Sequence, residues 1–349
     1  MLEILIEQLA AAQGLSDPQV AEAVEALTHP EVSAALKADF LAALARKGET
    51  PGEIAAFARD LRAKAIEPPL DARTLSRQIL DVCGTGGDRL NTFNISTTVA
   101  LITAAAGVPV AKHGNRAITS QAGSADVLEA LGIKIDLEPA EAARHLAEHD
   151  FAFFFAPKYH PAFRAIAPAR KLCAERGQRT IFNFLGPLLN PARPTMQLVG
   201  VPLPGLCGPI AQVLQLLGLR RAMVVSGEVP RDGAMAHLDE LSTLGDNCVA
   251  EFYQERGFAV STLSPRDFPL QPATLADLAG SDRHTNAEVV RRLLRGEERG
   301  PKRDAVLLNC AAALFVAEKA KSLVEGWEVG AELIDSGKAL RKLEELAGL

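Results

Sequence analysis

A glycine-rich segment is the first candidate for chemistry in this chain. Residues 81–88 read Asp-Val-Cys-Gly-Thr-Gly-Gly-Asp, and residues 94–98 read Asn-Ile-Ser-Thr-Thr. Glycines let backbone N–H groups approach an anion without Cβ obstruction, and the capping residues at 94–98 predict a helix through Val99–Ala106 whose free N–H groups face the same loop. Because Asp88 would repel a bare phosphate, we expect a phosphorylated sugar, with or without a metal. A plain strand-to-helix turn is the alternative interpretation of the glycines alone.

A second polar motif follows the next apolar run. Residues 112–116 read Lys-His-Gly-Asn-Arg, at the end of a predicted strand. Ligands of open parallel sheets bind at the carboxyl ends of strands, so two successive strands would deliver polar groups to one edge. Lys112 and Arg116 offer positive charge, and Asn115 offers directional hydrogen bonds. His113 has two interpretations, a general base or a structural and substrate-orienting imidazole.

Two adjacent acidic residues form the third candidate. Asp239 and Glu240 stand in the sequence Leu-Asp-Glu-Leu-Ser at 238–242. A solvated loop pair is the simpler interpretation of such neighbours.

The sequence pattern of the chain that must position these residues changes near residue 67. Residues 1–66 carry apolar residues at helical spacing and no strand pattern, with capping boxes that begin at Ser16 and Thr50. After the stiff linker at 67–70, short β-rich runs alternate with longer helical runs, which predicts a mostly parallel sheet with crossover helices. The predicted strands are Ile79–Val82, Val108–Ala111, Phe151–Phe155, Gln197–Val201 and Ala222–Val225, followed by a β-rich run at Phe258–Leu263 and long helices from Asn286 onward.

Composition narrows the class of protein. The chain has 349 residues, a net charge of −6, 48% hydrophobic residues and 5% aromatic residues. These values are typical of a soluble globular enzyme and disfavour nucleic acid as a partner, although a local basic patch stays open. No apolar run reaches the roughly 18 residues that span a membrane, and the N-terminus does not read as a signal peptide, so we expect no membrane partner. Five scattered cysteines without a CxxC pattern predict reduced thiols and a cytoplasmic location, with Cys83 as an apolar filler rather than a catalytic thiol.

Together with residues 123–129 and 180–188, these motifs resemble the anthranilate phosphoribosyltransferase family, from the helical N-terminus to residues 303–309. The resemblance implies an α/β fold of the nucleoside phosphorylase/phosphoribosyltransferase-like kind. A small all-helical domain would span 1–68 with a returning segment at about 168–187, and an α/β domain with a mostly parallel central sheet would span 72–349. The implied reaction transfers the phosphoribosyl group of phosphoribosyl diphosphate to anthranilate, with Mg²⁺, in tryptophan biosynthesis. A homodimer through the helical domain is implied as well, and association with anthranilate synthase stays open.

The resemblance also assigns roles to residues of this sequence. His113, Asp239 and Glu240 would be catalytic, and Ser96, Asp239 and Glu240 would ligate magnesium. Anthranilate would contact Gly84, Asn115 and Arg170, the last of which would otherwise read as part of an exposed helix face. Phosphoribosyl diphosphate would contact the glycine loop, the following helix start and the second motif, namely Gly84, Gly87, Asp88, Thr92, Asn94, Ile95, Ser96, Thr97, Lys112, His113, Gly114, Asn115, Arg116, Ala117, Ile118, Thr119, Ser120 and Ser124.

Three departures from the family pattern lie near the implied substrates. Gln121-Ala122 stands where many members carry Lys-Ser, and Lys171–Gln178 is longer than the usual connection. Gly227–His237 lengthens the approach to Asp239, and residues 244–247 replace a more usual Thr-Gly-Pro-Thr. Two alternative functions fit the sequence less well. A nucleoside phosphorylase-like enzyme is disfavoured because orthophosphate needs no acidic magnesium pair, and a non-catalytic nucleic-acid binder is disfavoured by the net charge.

Overall fold

The computed structural model describes residues 1–117, 121–253 and 257–349. Over these residues the helices are α1 (Leu2–Ala10), α2 (Asp17–Thr28), α3 (Ala34–Lys47), α4 (Pro51–Ala63), α5 (Ala72–Ser76), α6 (Ile95–Ala105), α7 (Ser124–Ala130), α8 (Pro139–His149), α9 (Ala156–Tyr159), α10 (Ala167–Glu175), α11 (Phe182–Leu185), α12 (Cys207–Leu216), α13 (Arg283–Leu294), α14 (Pro301–Val316), α15 (Leu323–Asp335) and α16 (Lys338–Ala347). The strands are β1 (Leu80–Gly84), β2 (Val110–Gly114), β3 (Phe151–Phe155), β4 (Met196–Gly200), β5 (Arg221–Arg231), β6 (Ala234–Leu238), β7 (Asn247–Tyr253) and β8 (Gly257–Leu263).

The first four helices begin where local sequence places their caps. The Thr50 hydroxyl accepts from the Glu53 N–H at 3.2 Å, while Glu53 Oε2 accepts from the Thr50 N–H at 2.9 Å. Ser16 and Gln19 form the same arrangement at the start of α2. Gly48 ends α3 with a φ of 86°, a conformation that costs glycine little.

The central sheet has the strand order β3-β2-β1-β4-β5-β7-β8, with β6 paired to β5. The five strands β1 to β5 pair in parallel within this order, and β6, β7 and β8 add antiparallel pairs at the other side. The predicted α/β class with a mostly parallel sheet is therefore confirmed. Parallel strands end on the same edge, so the loops after β1, β2 and β4 lie together.

The two faces of the sheet are covered by different layers. Alternate side chains such as Leu198 on β4 pack with α6, α7 and the helices α13 to α16 in one apolar cluster. The intervening side chains, such as Val199, join a second cluster that runs through α12, α10 and α11 into the N-terminal helices. The helical N-terminus is thus packed on the sheet through a continuous apolar core.

One stretch differs from its expected form. Gly227–His237 was interpreted as a lengthened approach loop, but it forms the end of β5 and most of β6, an antiparallel hairpin. Asp232 and Gly233 turn the chain with φ values of 51° and 76°. Asp-Gly between two strands is a strong signal for such a hairpin, so this sequence signal was overlooked. The strand β7 was not predicted either, because its residues alternate little in polarity.

Within the described parts of the chain, no helix combines the length and the apolar character that crossing a bilayer would need.

Candidate active site

The glycine loop after β1 lies directly against the acidic pair that follows β6. The N–H of Gly86 donates to Asp239 Oδ2 at 2.6 Å. A Cβ added at Gly84 would lie 2.8 Å from Asp239 Cγ and 2.9 Å from its carbonyl oxygen, and one added at Gly200 would lie 2.9 Å from the Glu240 N. Only glycine therefore allows the ends of β1 and β4 to approach this loop. Gly86 and Gly87 have φ values of 77° and 89°, so the loop itself needs glycine there as well.

The start of α6 brings the second carboxylate into the same place. The N–H of Ser96, in the first turn of the helix, donates to Glu240 Oε1 at 3.1 Å. Asn94 is the N-cap residue, but its side chain does not cap the helix as its type predicts. Instead its amide donates to the carbonyl of Ala122 at 3.2 Å and its oxygen accepts from Asn286 at 3.0 Å. A tertiary contact has replaced the local hydrogen bond, and the first N–H groups of α6 have acceptors of their own, the Phe93 carbonyl for Ile95 at 2.8 Å and Glu240 for Ser96.

The environment of Asp239 and Glu240 disfavours the charged forms of both carboxyl groups. Burial raises the pKa of Asp239 well above its usual range, and Asp88 and Glu240 add like-charge repulsion. Burial likewise raises the pKa of Glu240 to about 7, partly offset by Lys112 and Ser96. Such a group of carboxyls is suited to a cation. Across the described ranges no three His, Cys, Asp or Glu side chains form a complete metal cluster. A cation here would take its remaining ligands from a substrate, as Mg²⁺ does with phosphates.

Lys112 lies beneath this group rather than at a solvated strand end. Its side chain is 2% exposed, and Nζ donates to the Val82 carbonyl at 2.6 Å and approaches Ser96 Oγ at 3.5 Å. Burial lowers the pKa of Lys112, while Asp81, Cys83 and Glu240 act in the opposite direction. The ammonium is therefore a fixed positive group at the floor of the cleft.

The rest of the second motif meets different partners. Asn115 Oδ1 accepts from the backbone N–H of Arg116 at 2.7 Å, and its carbonyl accepts from Ser124 Oγ at 3.4 Å. Arg116 forms ion pairs with Asp126 at 3.0 Å and Glu129 at 2.9 Å, so its charge is already matched by two carboxylates. A Cβ at Gly114 would lie 3.0 Å from the Phe153 ring.

Other predicted phosphoribosyl diphosphate residues are spread along the cleft. Asp88 Oδ1 accepts from the Leu90 N–H at 3.1 Å and interacts with Asp239. Thr92 forms an isolated bridge with Ala279, and Thr97 is buried. The N–H of Ala117 donates to Asp126 Oδ2 at 2.9 Å. Three of the predicted residues, Ile118, Thr119 and Ser120, lie outside the described residues.

A second group of side chains, the aromatic row, stands beside the second motif. His113 Nε2 lies 3.2 Å from His160 Nε2, and the His160 ring stacks on Phe163 with centroids 5.0 Å apart. Phe163 packs edge-on against Phe182 at 5.7 Å, and the Arg170 guanidinium lies over the Phe182 ring at 5.2 Å. The aromatic row is defined as His113, His160, Phe163 and Phe182. It joins the predicted His113 to the predicted Arg170 through three residues that the sequence interpretation missed.

The histidines at the head of the row are neutral at pH 7. Burial is the main cause that lowers the pKa of His113 to about 3, with His160 contributing, and burial lowers the pKa of His160 to about 4. The Gly186 carbonyl, 3.3 Å from His113 Nδ1, can only accept. We therefore assign the proton of His113 to Nδ1, while the His160 ring hydrogen-bonds the backbone of Leu189.

Comparison with known proteins agrees with this geometry. Two family profiles match, the helical bundle domain of a glycosyl transferase family over residues 4–65 and the a/b domain of that family over residues 76–340. The anthranilate phosphoribosyltransferase of Roseiflexus castenholzii is 46% identical over 344 residues, covering 98% of this chain and 96% of the relative. That of Moorella thermoacetica is 46% identical over 347 residues, covering 99% and 97%.

The chain belongs to the anthranilate phosphoribosyltransferase family.

Solved structures of this family share the whole fold. The crystal structure of anthranilate phosphoribosyltransferase from Thermus thermophilus superposes with a TM-score of 0.87 at 41% identity and 98% coverage of both chains. The Saccharomyces cerevisiae enzyme in complex with phosphoribosyl diphosphate and magnesium gives a TM-score of 0.85 at 26% identity, covering 99% of this chain and 97% of that one. The predicted family and activity class are therefore confirmed.

The departures from the pattern of the anthranilate phosphoribosyltransferase family lie at the edge of the cleft. Most of Lys171–Gln178 continues α10 beyond Arg170, up to Glu175. The residues at 244–247 form a turn in which Asn247 Oδ1 accepts from the Ser242 N–H at 2.7 Å. Both segments leave the acidic pair in contact with the glycine loop.

Proposed function

We propose that this chain transfers the phosphoribosyl group of phosphoribosyl diphosphate to anthranilate, giving N-(5-phosphoribosyl)anthranilate and diphosphate, in tryptophan biosynthesis. The observation that carries the proposal is that neighbouring residues of β2, Lys112 and His113, belong to two different groups of side chains and so bring these groups together. The glycine loop, the start of α6, Lys112 and the buried acidic pair suit a diphosphate with a cation. The aromatic row and Arg170 suit a planar ring with a carboxylate.

The residues proposed for the diphosphate end act mainly by charge. Breaking the C1–O bond of the donor leaves diphosphate and gives the ribose oxocarbenium character, so the leaving charge must be neutralised. The N–H of Ser96 holds Glu240 at the start of α6, and Lys112 Nζ lies beside Ser96 Oγ, so these groups are in place before the donor binds. Asp239, Glu240 and Ser96 would hold Mg²⁺, which supplies electrostatic stabilisation of the diphosphate oxygens when bound. The repulsion between the buried carboxyls fits such an ion.

The residues proposed for the acceptor end act by orientation. The amine of anthranilate is an aniline, neutral at pH 7, so it needs no base before attack. The row places flat faces at the end of β2, and Arg170 adds the positive group that a carboxylate needs. Holding the amine in line with C1 converts a bimolecular step into an effectively unimolecular one.

Anthranilate fluorescence tests the proposal. We expect the signal of free anthranilate to fall when enzyme, phosphoribosyl diphosphate and Mg²⁺ are all present, and to stay constant when any one is omitted. A nucleoside with orthophosphate serves as a control substrate pair and should give no product. Phosphorolysis of the nucleoside without anthranilate turnover would replace this proposal by a nucleoside phosphorylase-like function.

Removing Arg170 should separate the two substrates. Arg170→Ala is expected to raise the KM for anthranilate far more than that for phosphoribosyl diphosphate, because one charge-assisted contact is worth about 1.5–3 kcal/mol, or about 10- to 150-fold. Steady-state kinetics with each substrate varied in turn measures the split. Lys171→Ala, an exposed neighbour on the same helix, is the matched control and should change neither KM. A higher KM for phosphoribosyl diphosphate alone would show that Arg170 does not belong to the anthranilate pocket.

His113 is expected to orient rather than to accept a proton. A base with a pKa of about 3 is a weak proton acceptor at pH 7, so His113→Asn, whose amide can still donate to Gly186, should lower kcat by less than about 10-fold. Because the folded-state pKa lies far below 6.5, the charge of His113 changes only near pH 3. Between pH 5 and pH 9, the pH profile of kcat/KM should therefore show no change that is caused by protonation of His113. A limb near pH 6.5 that vanishes in His113→Asn would restore the general-base interpretation.

The remaining assignments extend the same proposal. We propose the division into a helical domain at 1–68 with a returning segment at about 168–187 and an α/β domain at 72–349, supported by the packing of α10 on α3. The homodimer through the helical domain is a proposal that light scattering of the purified chain can test. A cytoplasmic location is proposed from the five free thiols.

A further inference from the structure

A buried carboxyl lies behind the glycine loop, where its side chain interacts with Lys112 and with the backbone of His113. Asp81, on β1, is 0% exposed. Its Oδ2 accepts from Asn190 Nδ2 at 2.9 Å and from Gln197 Nε2 at 3.3 Å, with the Cys83 thiol at 3.8 Å. A charged group in such a place costs free energy unless it is held by hydrogen bonds, so its partners show what it organises.

Both amide partners reach from Asp81 to the same loop. Gln197 Nε2 also donates to the carbonyl of Pro187 at 2.7 Å. Asn190 is itself the residue that ends the loop, and its Nδ2 donates to the carbonyl of Ala111 on β2 at 2.7 Å. The carboxylate therefore orients two side-chain amides that fasten residues 186–190 to β2 and β4.

The fastened loop supports the acceptor side of the cleft. The Gly186 carbonyl faces His113 Nδ1 at 3.3 Å, and the Leu188 carbonyl accepts from Arg62 Nη2 of the helical bundle at 2.7 Å. The loop is thus the only described segment that joins Asp81, His113 and α4 by hydrogen bonds. A shift of residues 186–190 would move the Gly186 carbonyl, the hydrogen-bond acceptor that fixes the orientation of the His113 ring.

We propose that Asp81 is a positioning residue for the acceptor pocket, acting through Asn190 and Gln197 on the loop at residues 186–190. The inference rests on the proposed function, because it assigns the aromatic row to the acceptor. Phosphoribosyl diphosphate binding should be much less sensitive to it, because the glycine loop and the start of α6 are held by the acidic pair instead.

Two variants test the role. Asp81→Leu keeps the branched shape of the aspartate side chain and removes the oxygen that both amides share, so the hydrogen bonds from Asn190 and Gln197 to it are lost. Gln197→Met keeps the length of the side chain, removes the donor to Pro187 and leaves the charge of Asp81 beside Lys112 in place. For each we expect the KM for anthranilate to rise about 10-fold, and in Gln197→Met the KM for phosphoribosyl diphosphate should stay within about twofold. The double variant should show less than the product of the two single effects, because both act through one loop. If Asp81→Leu does not fold, Gln197→Met carries the test.

A loss of stability alone would not produce this pattern. Leu346→Ala, in the buried face of α16 near the C-terminus, is the control for destabilisation and should leave both KM values unchanged. A spectroscopic readout needs no turnover. The ¹⁵N signals of the His113 ring, assigned with His113→Asn, should shift in Asp81→Leu and in Gln197→Met and not in Leu346→Ala.

The results of these experiments distinguish a failure of the Asp81 role from a failure of the proposed function. Equal rises of both KM values, or unchanged KM for anthranilate together with unchanged His113 signals, would overturn the positioning role. A wild type that does not consume anthranilate would refute the proposed function, and the His113 signals would then still decide whether Asp81 controls the ring.

Discussion

Replacing Asp239 by asparagine or Glu240 by glutamine is expected to lower kcat by about 100-fold or more, with the fold intact. Both substitutions keep the volume and remove a negative charge that a diphosphate-bound cation needs, and the loss of one preorganised charged group costs about 10²–10³ in rate. Initial rates at saturating substrates and at several Mg²⁺ concentrations measure the effect. Asp246→Asn, an exposed acid that follows in the same loop, is the matched control and should retain wild-type activity.

The same variants should be as stable as the wild type or more stable when magnesium is absent. The folded-state pKa of Glu240, about 7, lies above that of an unfolded glutamic acid, so the native state binds the proton more tightly. Stability from this group is present at low pH and is lost as the pH rises from about 4 to about 7. Glu240→Gln should therefore flatten the pH dependence of the free energy of unfolding over that range. Near-normal turnover in both variants would remove the pair from the active site.

Gly84→Ala is expected to abolish measurable activity. A methyl group there would lie 2.8 Å from Asp239 Cγ and 2.9 Å from its carbonyl oxygen, closer than carbon atoms can approach. The acidic loop would have to move away from the glycine loop, and the hydrogen bond from the Gly86 N–H to Asp239 would break. Calorimetric titration with phosphoribosyl diphosphate and Mg²⁺ should show no binding.

The control for this substitution is another glycine with open surroundings. A Cβ at Gly205 meets nothing within 4 Å, so Gly205→Ala should bind phosphoribosyl diphosphate as the wild type does. Unchanged affinity in Gly84→Ala would mean that the glycine loop is only a structural turn. Gly87→Val is a weaker test, because its Cβ would meet nothing within 4 Å and only its φ of 89° is unfavourable.

Much of the fold could be predicted from short stretches of sequence. The capping boxes at Ser16 and Thr50 and the glycine at the end of α3 act through residues three or four positions apart, so they do not depend on distant packing. The strand β3 was predicted with its observed bounds because five apolar residues in a row form a buried strand. The hairpin of β5 and β6 could have been predicted in the same way from Asp232-Gly233.

Local preference failed where a distant residue offered a better partner. Asn94 is a good capping residue by type, but Asn286 and the Ala122 carbonyl engage its side chain. Arg116 pairs with Asp126 and Glu129, and its contact with the donor stays a prediction. These partners lie from 10 to 192 positions away along the chain, and nothing in the neighbouring sequence specifies them.

By itself, the sequence determined the residue types that the chemistry needs and the strands and helices that end beside them, since both are written in local spacing. Only the tertiary structure decided which of those residues meet. It placed Asp239 on Gly86, 153 positions away, and His160 on His113, 47 positions away. Such contacts depend on how the sheet faces and the helical bundle bury their apolar surfaces, a free energy summed over the whole core rather than over any one motif.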